Sequence, residues 1–255
     1  MKISVITAVY NRAATLGDAI DSVLSQQSVK LEYIIIDGDS SDATPEIVKQ
    51  YGEQITRSIC EPDAGIYDAL NKGIAAASGD VIGFLHADDW LADDQTLRRV
   101  ANALADETID GVYGDLIYVD GENPNEQRRY WRAGEYDVTR FRRGWMPPHP
   151  TVYLRRRCYE QFGNFNLNIK TAADYELLVR MMVKHKIRMQ YIPHVMVKMR
   201  VGGASNASLK NRLAANRDDQ RAWSINGLKP PWGLRLTKPL SKLPQFFAAK
   251  AGARS

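Results

Sequence analysis

The 255-residue sequence is poor in cysteine, and its two, Cys60 and Cys158, stand far apart with no metal-ligand spacing. That excludes a disulfide framework and a zinc cluster, and makes a reduced, cytosolic chain the expectation. Long apolar runs are also missing, since no uncharged stretch approaches the ~20 residues a bilayer-spanning helix needs. Met1 to Tyr10 carries one basic residue and no small-residue cleavage site, so it reads as a strand and not as a signal peptide. No GxGxxG turn follows the first apolar run and there is no Walker A loop, which leaves dinucleotide and P-loop binding without support. HExxH, a CxxC pair and GxSxG are lacking too. Neither an internal repeat nor a low-complexity tract is visible.

What is present is an ordinary globular composition, 44% hydrophobic and 25% charged, long enough to bury a sizeable core. The net charge of +4 is unevenly placed. Residues 228–255 hold six basic residues and no acid, and residues 128–157 hold nine arginines against Glu135 and Asp137. The remainder is acidic. Such a pattern points to anionic partners at two places, although an arginine-rich stretch is also compatible with solvated surface.

Ile3 to Val9 is a largely apolar run, as in a strand buried on both faces. Thr15 is placed to cap a helix whose stripe is Leu16, Ile20, Val23 and Leu24. Tyr33 to Ile36 forms a second buried strand. Thr44 followed by Pro45 reads as an N-cap with proline at the first helical position. A third strand is expected over Ile55–Cys60, a helix over Ile66–Ala77 and a fourth strand over Val81–Leu85. This alternation implies βαβ units and a mostly parallel, doubly wound α/β sheet. Asn11, Asp37 and Asp88-Asp89 then fall at strand C-termini, the edge where open α/β sheets bind ligands. After residue 110 the pattern changes. Val112–Val119 and Arg128–Trp131 flank a turn-rich segment, Met146–Pro150 reads as a rigid loop, and helices are expected over Thr171–Lys184 and residues 207–226.

The candidate chemistry is carried by carboxylates. Asp88-Asp89 can supply the one or two carboxylates that a hard divalent ion takes beside phosphate oxygens, or can be turn-capping residues before a helix. Asp174 has capping-box spacing from Thr171 and reads either as a first-turn residue or as a general base; the two roles are compatible. His149, held between prolines, is placed to donate to a phosphate or an acceptor sugar. His86, His185 and His194 form no triad with it by spacing, so zinc is not expected.

Together these residues resemble family 2 glycosyltransferases of the GT-A fold. Ile6-Thr7-Ala8-Val9-Tyr10-Asn11 looks like the family's first strand and nucleotide loop. Ile36-Asp37-Gly38-Asp39-Ser40-Ser41-Asp42-Ala43-Thr44 resembles its second-strand signature, with Asp39 where glycine is commoner. Glu61 to Gly73 is similar to members that build bacterial exopolysaccharides, including the colanic acid type. Gly79–Asp89 resembles the strand ending in the DXD-type motif, with His86 where Asp or Asn is usual. Ala173-Asp174-Tyr175-Glu176-Leu177 resembles the catalytic-base segment, and Arg200–Ser205 a loop that follows it.

The resemblance covers about residues 1–226 and implies a nucleotide-sugar-binding half over residues 1–110 and an acceptor and catalytic-base half over 111–227. A basic amphipathic tail over 228–255 is read from its basic and aromatic residues alone. The resemblance implies a donor held by Thr7, Ala8, Tyr10, Asn11, Arg12, Asp37, Asp39, Gly65, Asn71, Lys72 and Asp88, with a UDP-sugar preferred. Mg²⁺ or Mn²⁺ would sit on Asp89 and Asp88, and Asp174 would be the base of an inverting transfer. His149, Arg155 and Arg200 are candidates for acceptor or phosphate contacts. No QxxRW of the processive synthases is present, which argues for addition of a single sugar. The tail reads as an anchor on an anionic membrane, which suits a lipid-linked saccharide acceptor in surface polysaccharide assembly and a peripheral, cytoplasmic location on the inner face. A non-catalytic sugar-nucleotide or polysaccharide-binding protein on the same fold and a metal-dependent phosphohydrolase are the rivals. No base-reading motif supports nucleic-acid binding.

Overall fold

Continuous β-branched runs make the centre of the sheet. Ile3–Val9 and Tyr33–Ile36 have no polar face to turn to water, so both faces must be covered. The computed structural model describes residues 1–121, 123, 125–201 and 209–233, with 209–216 as backbone alone. In chain order it contains β1 (Lys2–Val9), α1 (Ala13–Leu24), β2 (Lys30–Asp37), α2 (Thr44–Tyr51), β3 (Arg57–Cys60), α3 (Ile66–Ala76), β4 (Val81–Phe84), β5 (Asp89–Leu91) and α4 (Thr96–Ala103). There follow β6 (Gly111–Val119), β7 (Gln127–Trp131), α5 (Val138–Arg142), β8 (Tyr153–Arg155), α6 (Arg156–Phe162), α7 (Ala173–Leu178), β9 (Met189–Arg200) and α8 (Leu209–Ile225). A turn of π-helix, Val179–Lys184, continues α7.

These strands form one nine-stranded sheet in the order β3-β2-β1-β4-β8-β6-β9-β5, with β7 paired to β6. The first four are mutually parallel, as the alternation of strands and helices predicts. The second half departs from that pattern. β8 runs antiparallel to both β4 and β6, and β5 antiparallel to β9, so the whole sheet is mixed. Gly83 faces Tyr153 across the β4–β8 pair, and a Cβ there would fall 2.2 Å from the tyrosine ring. Only glycine lets that ring lie over the strand.

Two apolar layers cover the sheet. Leu16, Ile20 and Val23 of α1 and Leu97 and Val100 of α4 pack with Val5, Val9 and Ile35. Leu70 of α3, Leu177 and Leu178 of α7, and Trp223 of α8 pack on the other side with Ile6, Ile36 and Phe84. From β1 the chain passes to β2 on one side, then returns through β3 and α3 to β4 on the other. That reversal opens a crevice at the C-terminal ends of β1 and β4, the switch point where ligands bind in such sheets.

Local starts differ from the sequence reading because tertiary contacts take the capping hydroxyls. α1 begins at Ala13, and Thr15 inside it donates to the carbonyl of Ala87 at 2.8 Å. Thr44 is the first residue of α2, and its Oγ1 accepts from the Arg12 N–H at 3.0 Å. Thr171 does not cap α7, because its hydroxyl donates to Asp218 at 2.6 Å and Ala172 holds the N-cap position. Among the described residues no helix is long and apolar enough to cross a membrane. The Gly202–Ser205 part of the expected loop and residues 234–255 of the expected tail lie outside the described residues. In the described part of the tail, which runs to Gly233, Trp232 is fully exposed.

Candidate active site

The loop after β1 and the loop after β2 are sewn together by side chains. Asn11 takes a positive φ of 51°, and its Oδ1 accepts from the N–H groups of Ser41 and Asp42 at 2.9 and 3.3 Å. Its own N–H donates to Ser40 Oγ at 2.8 Å. Asp37, buried at the end of β2, accepts from the Ser40 N–H at 3.0 Å and lies 3.7 Å from the Cys60 thiol. A cavity of about 290 Å³ opens beside it, lined in part by Pro45, Lys49, Ser58 and Cys60. Tyr10, Arg12 and Asp39 are exposed around this end of the sheet, and Asp39 also has a positive φ. The 61–65 loop closes over it, with Asp63 packed so near Gly38 that a Cβ there would collide with the carboxylate.

Several residues expected to touch a nucleotide are otherwise engaged. Thr7 is fully buried and its hydroxyl pairs with that of Tyr33 at 3.0 Å, because side chains alternate along β1 and Thr7 faces the α1 layer. Ala8 faces the other layer and is 8% exposed. Asn71 exchanges two hydrogen bonds with the backbone of Phe165, at 3.0 and 2.9 Å, and so braces α3 against the loop before α7. Lys72 donates to the Pro62 carbonyl at 2.7 Å and pairs with Glu61 at 2.9 Å, fixing the 61–65 loop. Gly65 is exposed at the N-cap of α3 with a φ of 116°, a backbone role. These contacts hold the strands and loops around the cleft in place.

Arg155 is corrected outright. It pairs with Val81 at the opposite end of β4 from the crevice. Its guanidinium donates to the carbonyls of Ile109, Leu104 and Asp106, which end the helix–strand connection after α4. Arg156 and Arg157 likewise pair with Glu160 and Asp110. This arginine cluster is a clamp on the far edge.

The crevice itself gathers four groups. Asp174, half-buried in the first turn of α7, accepts a hydrogen bond from Tyr67 Oη of α3 at 3.1 Å. His149 is 6% exposed, stacked on Phe84 at 5.7 Å and edge-on to Phe165 at 5.7 Å. The His86 ring lies 6.3 Å from it. Burial holds the His149 imidazole down at about 4, against the pull of Asp174, so it is neutral at pH 7. His86 is lowered for the same reason, opposed by Asp88 and Asp174. His149 is therefore a buried, neutral wall of the site. His185, by contrast, stacks on Phe162, and His194 is exposed on β9.

Asp88 is half-exposed at the mouth, while Asp89 is 1% exposed and opens β5. The carbonyl of Asp88 accepts from Arg200 at 3.0 Å. Arg200 also pairs with Asp18 and lies over the Trp90 ring at 4.4 Å. It braces the mouth of the cleft through all three contacts.

A model of glycosyl transferase family 2 matches residues 4–174. The chain belongs to this family. A PGL/p-HBAD biosynthesis glycosyltransferase of Mycobacterium bovis is 31% identical over 211 residues, 80% of this chain and 78% of that one. Among solved structures, the mannosyltransferase PcManGT from Pyrobaculum calidifontis, in complex with GDP-Man and Mn²⁺, matches 98% of this chain and 74% of its own, with TM-score 0.67 and 21% identity. TarS 1–349 of S. aureus, in complex with UDP-GlcNAc, matches 98% of this chain and 79% of its own, with TM-score 0.65 and 18% identity. The fold of this glycosyltransferase is GT-A.

The carboxylate pair of this family 2 glycosyltransferase suits a divalent cation. Asp89 Oδ2 has no hydrogen-bond partner. Burial, then the charge of Asp88, pushes the acid well above the usual carboxylate range despite the opposing N–H and guanidinium of Arg200. A buried, unpartnered carboxylate oxygen beside a second carboxylate is a donor set that a hard cation satisfies. Among the described residues no three His, Cys, Asp or Glu side chains converge on one point. The pair thus fits an ion shared with phosphate oxygens and not a closed protein cage.

One member of the site, Tyr67, went unread in the sequence. Tyr67 stands one helical turn before Asn71 on α3, so the spacing puts both on one face, but only the fold brings Asp174 to it. His86 and His149 are far apart in the chain, and their pairing is made by the β4–β8 contact.

Proposed function

We propose that this glycosyltransferase moves one sugar from a nucleotide-sugar to an acceptor hydroxyl with inversion at the anomeric carbon, using Asp174 as general base. The observation that carries the reading is the half-buried Asp174 carboxylate, oriented by Tyr67 at the C-terminal edge of β4. The nucleotide would lie over the Asn11 and Asp37 loops, its base toward Asp37 and the cavity beside it, with the exposed Tyr10, Arg12 and Asp39 around it. Asp88 would meet ribose or sugar hydroxyls, and Asp88 and Asp89 would hold Mg²⁺ or Mn²⁺. A bound cation neutralises charge on the leaving nucleoside diphosphate. Asp174 takes the proton of the acceptor hydroxyl as its oxygen bonds to the anomeric carbon. The bond to the diphosphate oxygen breaks on the opposite face, and its electron pair leaves with the diphosphate. Neutral His149 and His86 put no competing cation beside the carboxylate.

A UDP-sugar is the preferred donor. The TarS complex with UDP-GlcNAc supports it, and the PcManGT complex with GDP-Man makes a GDP-sugar the alternative to test. A lipid-linked saccharide of bacterial surface polysaccharide is the proposed acceptor, met at the inner face of the membrane. The supporting features are the basic residues of 228–255 and the exposed Trp232.

One assay tests these points together: transfer from α-linked UDP- and GDP-sugars to lipid-linked and water-soluble acceptors, with the product linkage read by NMR. The expected product is β-linked, made faster on the lipid-linked acceptor, lost with EDTA and restored by Mn²⁺. An α-linked product would overturn the single-displacement reading. Full activity in EDTA would remove the metal from it, and equal rates on both acceptors would remove the membrane.

A further inference from the structure

We infer that Tyr67 is a positioning residue for the base, holding Asp174 in place through its phenol while Asn71 and Phe165 hold Tyr67. The inference rests on the reading of Asp174 as base. Tyr67 Oη donates to Asp174 Oδ1 at 3.1 Å, which leaves the other carboxylate oxygen for an acceptor hydroxyl. That hydroxyl ties the carboxylate in the first turn of α7 to α3.

The ring end is equally constrained. It packs on Phe165 with centroids 5.4 Å apart. Phe165 is in turn fixed by the two Asn71 hydrogen bonds and lies edge-on to Phe84 at 5.4 Å. Tyr67 and Asn71 are four residues apart on α3, so a single helix face presents the phenol and its brace. Burial, with the charge of Asp174 added, keeps the phenol protonated and hence a donor. The other titratable groups facing Asp174 are His86 from the loop after β4 and His149 before β8. Among the described residues, Tyr67 is the side chain whose hydroxyl contacts the Asp174 carboxylate.

Tyr67→Phe keeps the ring packing and removes only the hydroxyl. It should lower kcat by about 10- to 100-fold, as expected for a lost hydrogen bond to a charged group, with the donor Kd unchanged. Incorporating 3-fluorotyrosine at position 67 alone keeps the shape and the donor, so kcat should return to near the native value. A Tyr67→Phe enzyme with unaltered kcat would overturn the inference, as would a 3-fluorotyrosine enzyme as slow as Tyr67→Phe. If Asp174→Asn also retained turnover, the base reading itself would be at fault; if Asp174→Asn were inactive, only the role of Tyr67 would fall.

Discussion

Glu32 illustrates how a buried carboxylate is kept ionised when the donors around it are numerous. It is 5% exposed, and burial by itself would raise its pKa. Lys2 Nζ and Ser4 Oγ donate at 2.5 Å, with Ser78 donating through both its hydroxyl and its backbone N–H, and together they bring it down to about 2 from an ordinary 4.5. A carboxylate held below its unfolded value stabilises the fold above that value and loses the contribution as pH falls towards the folded one. The Tm of the protein should therefore decline as pH drops from about 4.5 to about 2, and Glu32→Gln should flatten that part of the decline. Parallel Tm curves for the two proteins would contradict this. Asp89 is the opposite case, a buried carboxylate whose second oxygen meets no donor.

At the scale of elements, the β1, β2 and β4 strands were legible because strands buried on both faces leave continuous apolar runs. Their helices were legible from stripes such as Leu16, Ile20 and Val23, all fully buried. The errors have a common cause. Thr15, Thr44 and Thr171 carry the chemistry of caps, but their hydroxyls bond to Ala87, Arg12 and Asp218 in other elements, which no local pattern encodes. The three-residue strands β5 and β8 are likewise defined by their partners β9 and β4. Arg155 shows the cost of reading charge without topology, since its place in β8 sends it to the far edge. Arg155→Ala should lower stability by about 1–3 kcal/mol, through the carbonyls it leaves unpaired, with kcat and donor affinity kept. Thermal melts alongside turnover check this, and a stable variant that fails in transfer would contradict it.

For the molecule as a whole, the sheet order is the device that makes a site from distant residues. The reversal at β1 opens the crevice, α3 lends Tyr67, and α7 lends Asp174. α8 and the residue that follows it buttress α7, with Trp223 donating to Tyr175 at 3.0 Å and Asn226 to Glu176 at 2.8 Å. The carboxylates of the site were readable from their positions beside apolar runs and from the family resemblance. Tyr67 and the approach of His86 to His149 needed the fold. The central claim, that Asp174 performs chemistry and does not merely bind donor, is tested most directly by one comparison. Asp174→Asn should retain nucleotide-sugar-dependent thermal stabilisation with Mn²⁺ present, while its single-turnover transfer rate falls by about 10²–10⁴-fold. A variant that transfers sugar at the native rate, or one that loses donor stabilisation in proportion to its rate, would contradict the account.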